Sequence, residues 1–149
     1  MKSKLFYSVL FLLIVLPTFS QDLRIDLYTT GNGIDKQLVA LLTNTTDRLI
    51  RVRNYEGGAD ASCMYMYFLN QKKDILYHGT YIFVNPGEYK RWFDIAPNKN
   101  VSFKYPIGSI RASYKNPEIS AVEIFCILRY STPNTGFSDI YDKTFTFSF

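Results

Sequence analysis

The 149-residue chain carries 17 basic and 13 acidic residues, with a hydrophobic fraction of 47% and an aromatic fraction of 17%. The basic residues are scattered along the chain, and the tightest group, Arg48, Arg51 and Arg53, is small. A nucleic-acid-binding surface needs a concentrated basic face. The sequence therefore excludes nucleic acid as a partner.

The first residues of the chain have the layout of a secretory signal peptide. Lys2 and Lys4 give it a positive start, residues 5–16 form an almost unbroken apolar block, and Pro17 ends that block. Small residues then precede a cleavage position before Gln21. A membrane-spanning helix needs roughly 20 predominantly apolar residues, and the block is shorter, so cleavage is favoured over an uncleaved membrane anchor. We expect the protein to be exported to the periplasm or the extracellular space.

The sequence thus divides into a signal peptide, residues 1–20, and one domain, residues 21–149. When Lys2 and Lys4 leave with the signal peptide, the 17 basic residues fall to 15 against 13 acidic residues, a net charge of +2. A chain of this length forms one domain and can bury a hydrophobic core without several disulfides.

Turn-forming residues divide the predicted domain into short segments rich in Val, Ile, Tyr and Phe, at spacings of roughly 8–12 residues. This punctuation is typical of an all-β fold, and we predict an antiparallel β-sandwich of about 7–9 strands. Residues 62–69 are apolar on both faces, which indicates a central strand. In chain order, the predicted strands are residues 23–27, 38–43, 49–53, 62–69, 75–84, 89–93, 101–105, 121–130 and 143–149.

Two segments leave alternatives open. Residues 75–84 form either one long bent strand or two strands with a break at Gly79. Residues 33–42 contain either a turn or two of helix or part of a strand, because residues 38–42 also have a good strand pattern.

Residues 41–50 form an apolar strand that ends at an Asn, makes a short polar turn and returns as an apolar strand. This segment resembles a recurring pattern in immunoglobulin-like domains of exported bacterial proteins. Residues 95–103 are similar to the proline, turn and strand segment found later in such domains. The resemblance implies an immunoglobulin-like sandwich. It does not extend to antibody-type domains, because Trp92 lies too far beyond Cys63 and Ile124 occupies the position of their conserved Tyr.

Cys63 and Cys126 are the only two cysteines, and both fall within predicted strands. Export places them in a compartment where disulfides persist, so we predict a disulfide between them. The alternative is two buried free thiols that pack as small hydrophobic side chains.

The sequence contains no recognisable catalytic or metal-binding motif. His78 is the only histidine, and no nucleophile signature surrounds a serine or cysteine that could pair with it. Glycoside hydrolysis uses a pair of carboxylates that can come from distant strands, and Asp94, Glu118 and Glu123 are candidates for such a pair, but nothing in the sequence singles them out. We therefore predict a protein that is not an enzyme and needs neither a cofactor nor a metal.

Aromatic residues are the best indication of a binding site. Tyr89, Arg91 and Trp92 form the candidate ligand-binding segment, because cations and rings follow a turn there. Such a surface suits a sugar ring, a peptide or another subunit. The alternative role for each ring is packing in the core or across strands. The wider set of aromatic residues considered comprises Tyr65, Tyr67, Tyr77, Tyr81, Tyr89 and Trp92.

Two functions from different classes fit the sequence. The first is an exported binding or interaction module with a protein or carbohydrate partner. The second is a small outer-membrane β-barrel, because Tyr141, Phe145, Phe147 and Phe149 share one alternating face, as in the terminal aromatic signature of such barrels. Their spanning strands need about 9–11 residues, and most predicted strands are shorter. Docking of these aromatic residues onto the core explains them more simply, so membrane insertion is the less favoured alternative.

Overall fold

The structure is a computed structural model that describes residues 22–54, 61–85, 90–133 and 139–149. The predicted signal peptide, residues 1–20, lies outside the described residues. Within the described part of the chain, no helix combines the length and the apolar character needed to cross a membrane.

Antiparallel strands dominate the described residues, which confirms the all-β prediction. They form two sheets: a smaller sheet with the order β1-β2-β7, and a larger sheet with the order β5-β4-β8-β3-β6, in which β9 also pairs with β8. The larger sheet curls around the core. The strands are β1 (Leu23–Thr30), β2 (Gln37–Asn44), β3 (Ile50–Arg53), β4 (Cys63–Leu69), β5 (Ile75–Tyr81), β6 (Trp92–Ile95), β7 (Asn100–Tyr105), β8 (Ala121–Ser131) and β9 (Asp139–Ser148).

One apolar core lies between the inner faces of the two sheets. In the smaller sheet, Leu27 of β1 and Phe103 of β7 both lie opposite Ala40 of β2, so the three side chains share the inner face. In the larger sheet, Met66 of β4 lies opposite Ile124 of β8 and faces the same core. The two-residue periodicity of the sequence therefore gives each sheet one apolar face, and these two apolar faces pack against each other.

The segments left open by the sequence have definite structures. Strand β5 continues through Gly79, which lies opposite Met66, so residues 75–81 form one strand. A short 3-10 turn at Gly33–Asp35 precedes β2, so residues 33–42 contain both a helical turn and a strand. A short helix that the sequence does not predict, α1 (Ile107–Ser113), places its Ile107 fully buried in the core.

The predicted disulfide between Cys63 and Cys126 is wrong, because both cysteines are buried as free thiols. Cys63 lies opposite Ile127, and Cys126 lies opposite Met64. Paired residues share a face of the sheet, and successive residues along a strand point to opposite faces. The two thiols therefore lie on opposite faces of the larger sheet, where their Cβ directions are incompatible with a disulfide.

Unfolding the mature, unreduced protein should expose both thiols of Cys63 and Cys126 to titration by Ellman's reagent. In the folded protein the reaction should be slow, because thiolate is the reactive form. Burial raises the pKa of Cys126 to about 12 and also raises the pKa of Cys63. A protein that releases its thiols only after reduction would contradict this arrangement.

Phe145 and Phe147 of β9, and Phe149 directly after it, pack against the core. Phe145 lies opposite Ile124, and Phe147 lies opposite Val122, on the inner face of the larger sheet. The ring of Phe149 stacks on Phe68 with 6.0 Å between centroids. Docking onto the core thus accounts for Phe145, Phe147 and Phe149, whereas the side chain of Tyr141 is not among those that the structure describes.

Candidate binding groove between β6 and β7

The candidate site is a groove between two consecutive strands that belong to different sheets. Strand β6 pairs with β3 in the larger sheet, and β7 pairs with β2 in the smaller sheet. Residues 96–99 join them in a tight turn, in which the N–H of Lys99 donates to the carbonyl of Ala96 at 3.1 Å and Asn98 adopts a left-handed φ of 56°. Because the strands diverge from this turn into separate sheets, they leave an opening between them, which we call the β6–β7 groove.

Aromatic side chains form the floor of the β6–β7 groove. The ring of Phe103 lies 5.6 Å from that of Phe83 and 5.2 Å from that of Phe93, measured between centroids. Val101 adds a half-buried aliphatic side chain. The groove has a volume of about 360 Å³ and combines an apolar floor with an open mouth.

A buried amide, that of Asn54, fixes the position of Phe83. Its Nδ2 donates to the carbonyl of Phe83 at 2.6 Å, and its Oδ1 accepts from the N–H of Phe83 at 3.2 Å. The main-chain N–H of Asn54 donates to the carbonyl of Arg91 at 2.7 Å. One residue at the end of β3 therefore holds both the groove floor and the chain that enters β6.

Tyr105 holds the same floor segment from the side of β7. Its hydroxyl donates to the carbonyl of Ile82 at 2.8 Å. Burial raises the pKa of Tyr105 well above its ordinary value, so the hydroxyl remains a hydrogen-bond donor at physiological pH. The segment next to Phe83 is thus tied to both sheets.

Asn44 closes the narrow end of the β6–β7 groove. Its buried side chain donates from Nδ2 to the carbonyls of Ile95 at 2.9 Å and Ala96 at 3.2 Å, and its main-chain N–H donates to the carbonyl of Lys99 at 2.9 Å. These contacts join the last residue of β2 to the turn between β6 and β7. They fix the angle at which the two strands diverge.

The mouth of the groove carries charged and aromatic side chains. Lys90, Trp92 and Asp94 all line it, and the side chain of Trp92 is 47% exposed. Arg51 on β3 binds the Asp94 carboxylate through Nε at 2.7 Å and Nη2 at 2.9 Å. This hydrogen bonding to Arg51 lowers the pKa of Asp94, so the carboxylate is ionised at neutral pH and already occupied by a cation.

The structure separates the residues that the sequence analysis proposed for binding. Trp92 lines the groove, Arg91 precedes it with an exposed side chain, and Tyr89 lies outside the described residues. Tyr65 and Tyr67 lie on the outer face of the larger sheet, away from the core and from the groove.

Tyr77 and Tyr81 instead pack against the core. Tyr77 stacks on Tyr114 with 4.0 Å between ring centroids, and Tyr81 contacts Tyr105 edge to face. Tyr77 and Tyr81 therefore have the packing role that was the alternative to ligand binding for these aromatic residues.

Sequence reasoning missed Asn54 and the aromatic floor. Phe93 and Phe103 lie within the predicted strands 89–93 and 101–105, but a strand prediction does not indicate which residue lies across the groove. An Asn directly after the β3 pattern was the only available signal for Asn54, and many strand ends carry such a residue.

The residues considered for catalysis are dispersed over the fold. His78 is exposed on β5 beside Tyr67, with 6.5 Å between ring centroids. Asp94 lies on β6, Glu123 lies on β8 and Glu118 lies in the turn after α1. Among the described side chains, no group of three His, Cys, Asp or Glu residues is close enough to hold a metal ion.

Among known proteins, a solved structure is similar to this chain in fold. No protein family matches the chain, and no curated protein matches its sequence. The X-ray structure of Northeast Structural Genomics Consortium target SoR45 is similar, with a TM-score of 0.50 and 8% identity over 84% of each chain. A crystal structure of a protein from Archaeoglobus fulgidus has a TM-score of 0.33 and 10% identity, covering 87% of this chain and 96% of its own. The likeness to SoR45 concerns the fold alone.

Proposed function

We propose that this protein is an exported, non-catalytic binding module with an immunoglobulin-like sandwich, and that the β6–β7 groove is its binding site. The observation that carries the proposal is the groove itself, which is open, has an aromatic floor and holds about 360 Å³. Concave sites of roughly 300–1,000 Å³, with apolar walls and a few placed polar groups, are typical of ligand binding. The exposed ring of Trp92 lies at its mouth.

The groove is preorganised, which supports a binding role. Asn54 fixes its floor, and Asn44 fixes its closed end, each through hydrogen bonds from a buried side chain. A site that is already in its binding geometry avoids the entropic cost of ordering on association. The buried amides therefore favour affinity as well as stability.

The distribution of apolar side chains supports the module over the outer-membrane alternative. The inner faces of both sheets share one apolar core, whereas ion pairs occupy outward positions. Arg24 pairs with Asp26 at 2.9 Å on β1, and Arg51 pairs with Asp94 across β3 and β6. An outer-membrane protein needs a continuous apolar band on its outward face, and these charges interrupt it.

Site-specific crosslinking tests the proposal in the organism that makes the protein. A photoreactive amino acid placed at Lys90, in the groove, should give discrete adducts with the soluble, exported mature chain. The same group at Thr144, an exposed position on β9, is the control and should give none. Val101→Trp, which fills the groove, should abolish the adducts formed from position 90.

Two outcomes would contradict the proposal. One is equal crosslinking from positions 90 and 144, because it would indicate that other molecules contact the surface without any preference for the groove. The other is adduct formation that Val101→Trp leaves unchanged while circular dichroism shows the fold preserved. Recovery of the chain only in alkaline-washed outer membranes would contradict the exported soluble module.

A further inference from the structure

We propose that the protein forms a symmetric dimer through the outer face of the larger sheet, with β8 of one copy antiparallel to β8 of a second copy. This inference goes beyond the proposed binding function and does not depend on the β6–β7 groove. Three observations support it: an apolar patch at the centre of the face, a polar border beside that patch, and two charged side chains whose spacing is self-complementary.

The outer face carries apolar side chains at positions where a solvated sheet usually carries polar ones. Tyr65 and Tyr67 on β4, with Phe125 and Ile127 on β8, occupy outward positions of these neighbouring strands, and we call the four residues the outer patch. The rings of Tyr65 and Phe125 stack with 6.4 Å between centroids. All four side chains are only half-buried. A contiguous apolar patch of this kind is typical of an interaction surface.

Polar side chains border the outer patch on both sides. On β5, the exposed His78 lies opposite Tyr67. On β9, the exposed Thr144 lies opposite Phe125. An apolar centre with a polar rim is the usual anatomy of a protein–protein interface. The outer patch therefore fits the surface of another protein molecule.

Two charged side chains beside the outer patch specify which protein molecule fits. Glu123 and Arg129 are outward residues of β8, each three positions from Cys126, with Phe125 and Ile127 between them. Both are half-buried, and among the described residues neither has an ion-pair partner. The Nε of Arg129 is buried without a hydrogen-bond acceptor. Covering an unpaired charge is costly, so a partner must bring a cation to Glu123 and an anion to Arg129.

A second copy of the chain meets both requirements at once. A two-fold axis that crosses β8 above Cys126 places Glu123 of one copy against Arg129 of the other, and symmetry repeats the contact. Phe125 then faces Ile127 of the second copy at the centre of the interface. A parallel arrangement would oppose Glu123 to Glu123, and like charges in contact disfavour it. The charge pattern therefore selects the antiparallel dimer.

Sedimentation equilibrium of the mature protein tests whether the dimer exists and where it forms. The wild-type protein should sediment as a dimer, and Ile127→Lys, which places a cation at the centre of the outer patch, should be monomeric. Ile34→Lys makes the same change at an exposed residue of the 3-10 turn; it is the matched control and should remain dimeric. A wild-type protein that stays monomeric up to about 0.1 mM, or a dimer that Ile127→Lys leaves intact, overturns the proposal and assigns the outer patch to a different partner.

An exchange of charges tests the antiparallel register. Glu123→Arg and Arg129→Glu each bring like charges together in both contacts, so each variant alone should dimerise about tenfold more weakly or worse. An equimolar mixture should form a heterodimer in which both contacts again join opposite charges, with an affinity close to that of the wild-type protein. Variants that dimerise like the wild-type protein, or a mixture that stays monomeric while circular dichroism shows both variants folded, overturn the register.

A photoreactive amino acid at Ile127 tests the same register without a change of charge, and so also covers the case of a charge variant that fails to fold. It should link two copies, and mass spectrometry of the linked peptides should place the attachment at or next to Phe125. Attachment to another surface overturns the proposal. Links between two copies have twice the mass of the chain, which separates them, from position 144 as well, from the adducts with other molecules that the groove experiment counts.

Discussion

Asn44→Ala should lower the free energy of unfolding by about 2–4 kcal/mol, because it removes a buried amide and leaves its main-chain partners unpaired. In the wild-type protein, Nδ2 donates to three carbonyls, those of Arg48, Ile95 and Ala96, at distances of 2.7–3.2 Å. The Oδ1 atom accepts from the N–H and the hydroxyl of Thr46. Alanine can replace none of these bonds, and the buried position excludes bulk water.

Asn70→Ala is the matched control for this prediction. The Oδ1 of Asn70 also accepts main-chain bonds in a turn, from Lys72 and Asp74 at 2.9 Å each, but this turn is at the surface. Water replaces these bonds on substitution, so the expected loss is below about 1 kcal/mol. Urea unfolding of both variants measures the difference. A loss for Asn44→Ala no larger than that for Asn70→Ala would show that Asn44 does not brace the two sheets.

The contrast between these asparagines shows where local sequence reasoning ends. Both residues have turn chemistry, and the sequence identified the polar turn after Asn44. Its partner Ile95 lies 51 residues further along the chain, and no local pattern indicates that contact. The strands themselves were predictable, as for residues 121–130 within β8, because their alternation is a local property.

The error at the cysteines has the same physical origin. Alternation placed Cys126 on an inward face, yet Cys63 could face either side because both faces of its strand are apolar. Only the register, which sets Cys63 opposite Ile127, decides that the two thiols point apart. Register depends on the pairing of distant strands, which a single sequence does not specify.

The candidate site was predictable in part. Trp92 was identified from its own neighbourhood, since cations and rings cluster around it. The groove also needs Phe83 and Phe103, which come from other segments and meet only because β6 and β7 belong to different sheets. A site between the edges of two sheets depends on how distant strands are arranged, and local sequence patterns do not specify that arrangement.

Helix α1 was missed because its seven residues include a glycine and two serines, which weaken the helical pattern. The structure shows why a glycine stands at position 108. The N–H of Gly108 donates to the carbonyl of Lys36 at 2.8 Å, which docks α1 on the chain that follows the 3-10 turn. This close approach of two main chains is compatible with glycine alone.

Gly108→Ala should therefore destabilise the protein by about 2–3 kcal/mol, although alanine is the better helix former. A Cβ at this position would lie 2.2 Å from the carbonyl oxygen of Gly33 and 2.6 Å from that of Ile34. Both are main-chain atoms, so they can move only if the 3-10 turn separates from α1. In an open helical position, the same substitution would stabilise by about 0.5–1 kcal/mol. The sign of the change alone thus tests whether this contact exists.

Gly33→Ala is the matched control, because it adds a Cβ on the other side of the same contact. Gly33 has a φ of 55°, and no atom lies within 4 Å of its added Cβ. Its cost is only the left-handed backbone conformation, about 1–2 kcal/mol. Thermal and urea unfolding should rank the wild-type protein above Gly33→Ala, and Gly33→Ala above Gly108→Ala. If Gly108→Ala matched or exceeded the wild-type stability, α1 would not pack against the 3-10 turn through main-chain contact, and the helix would instead depend on Ile107 in the core for its position.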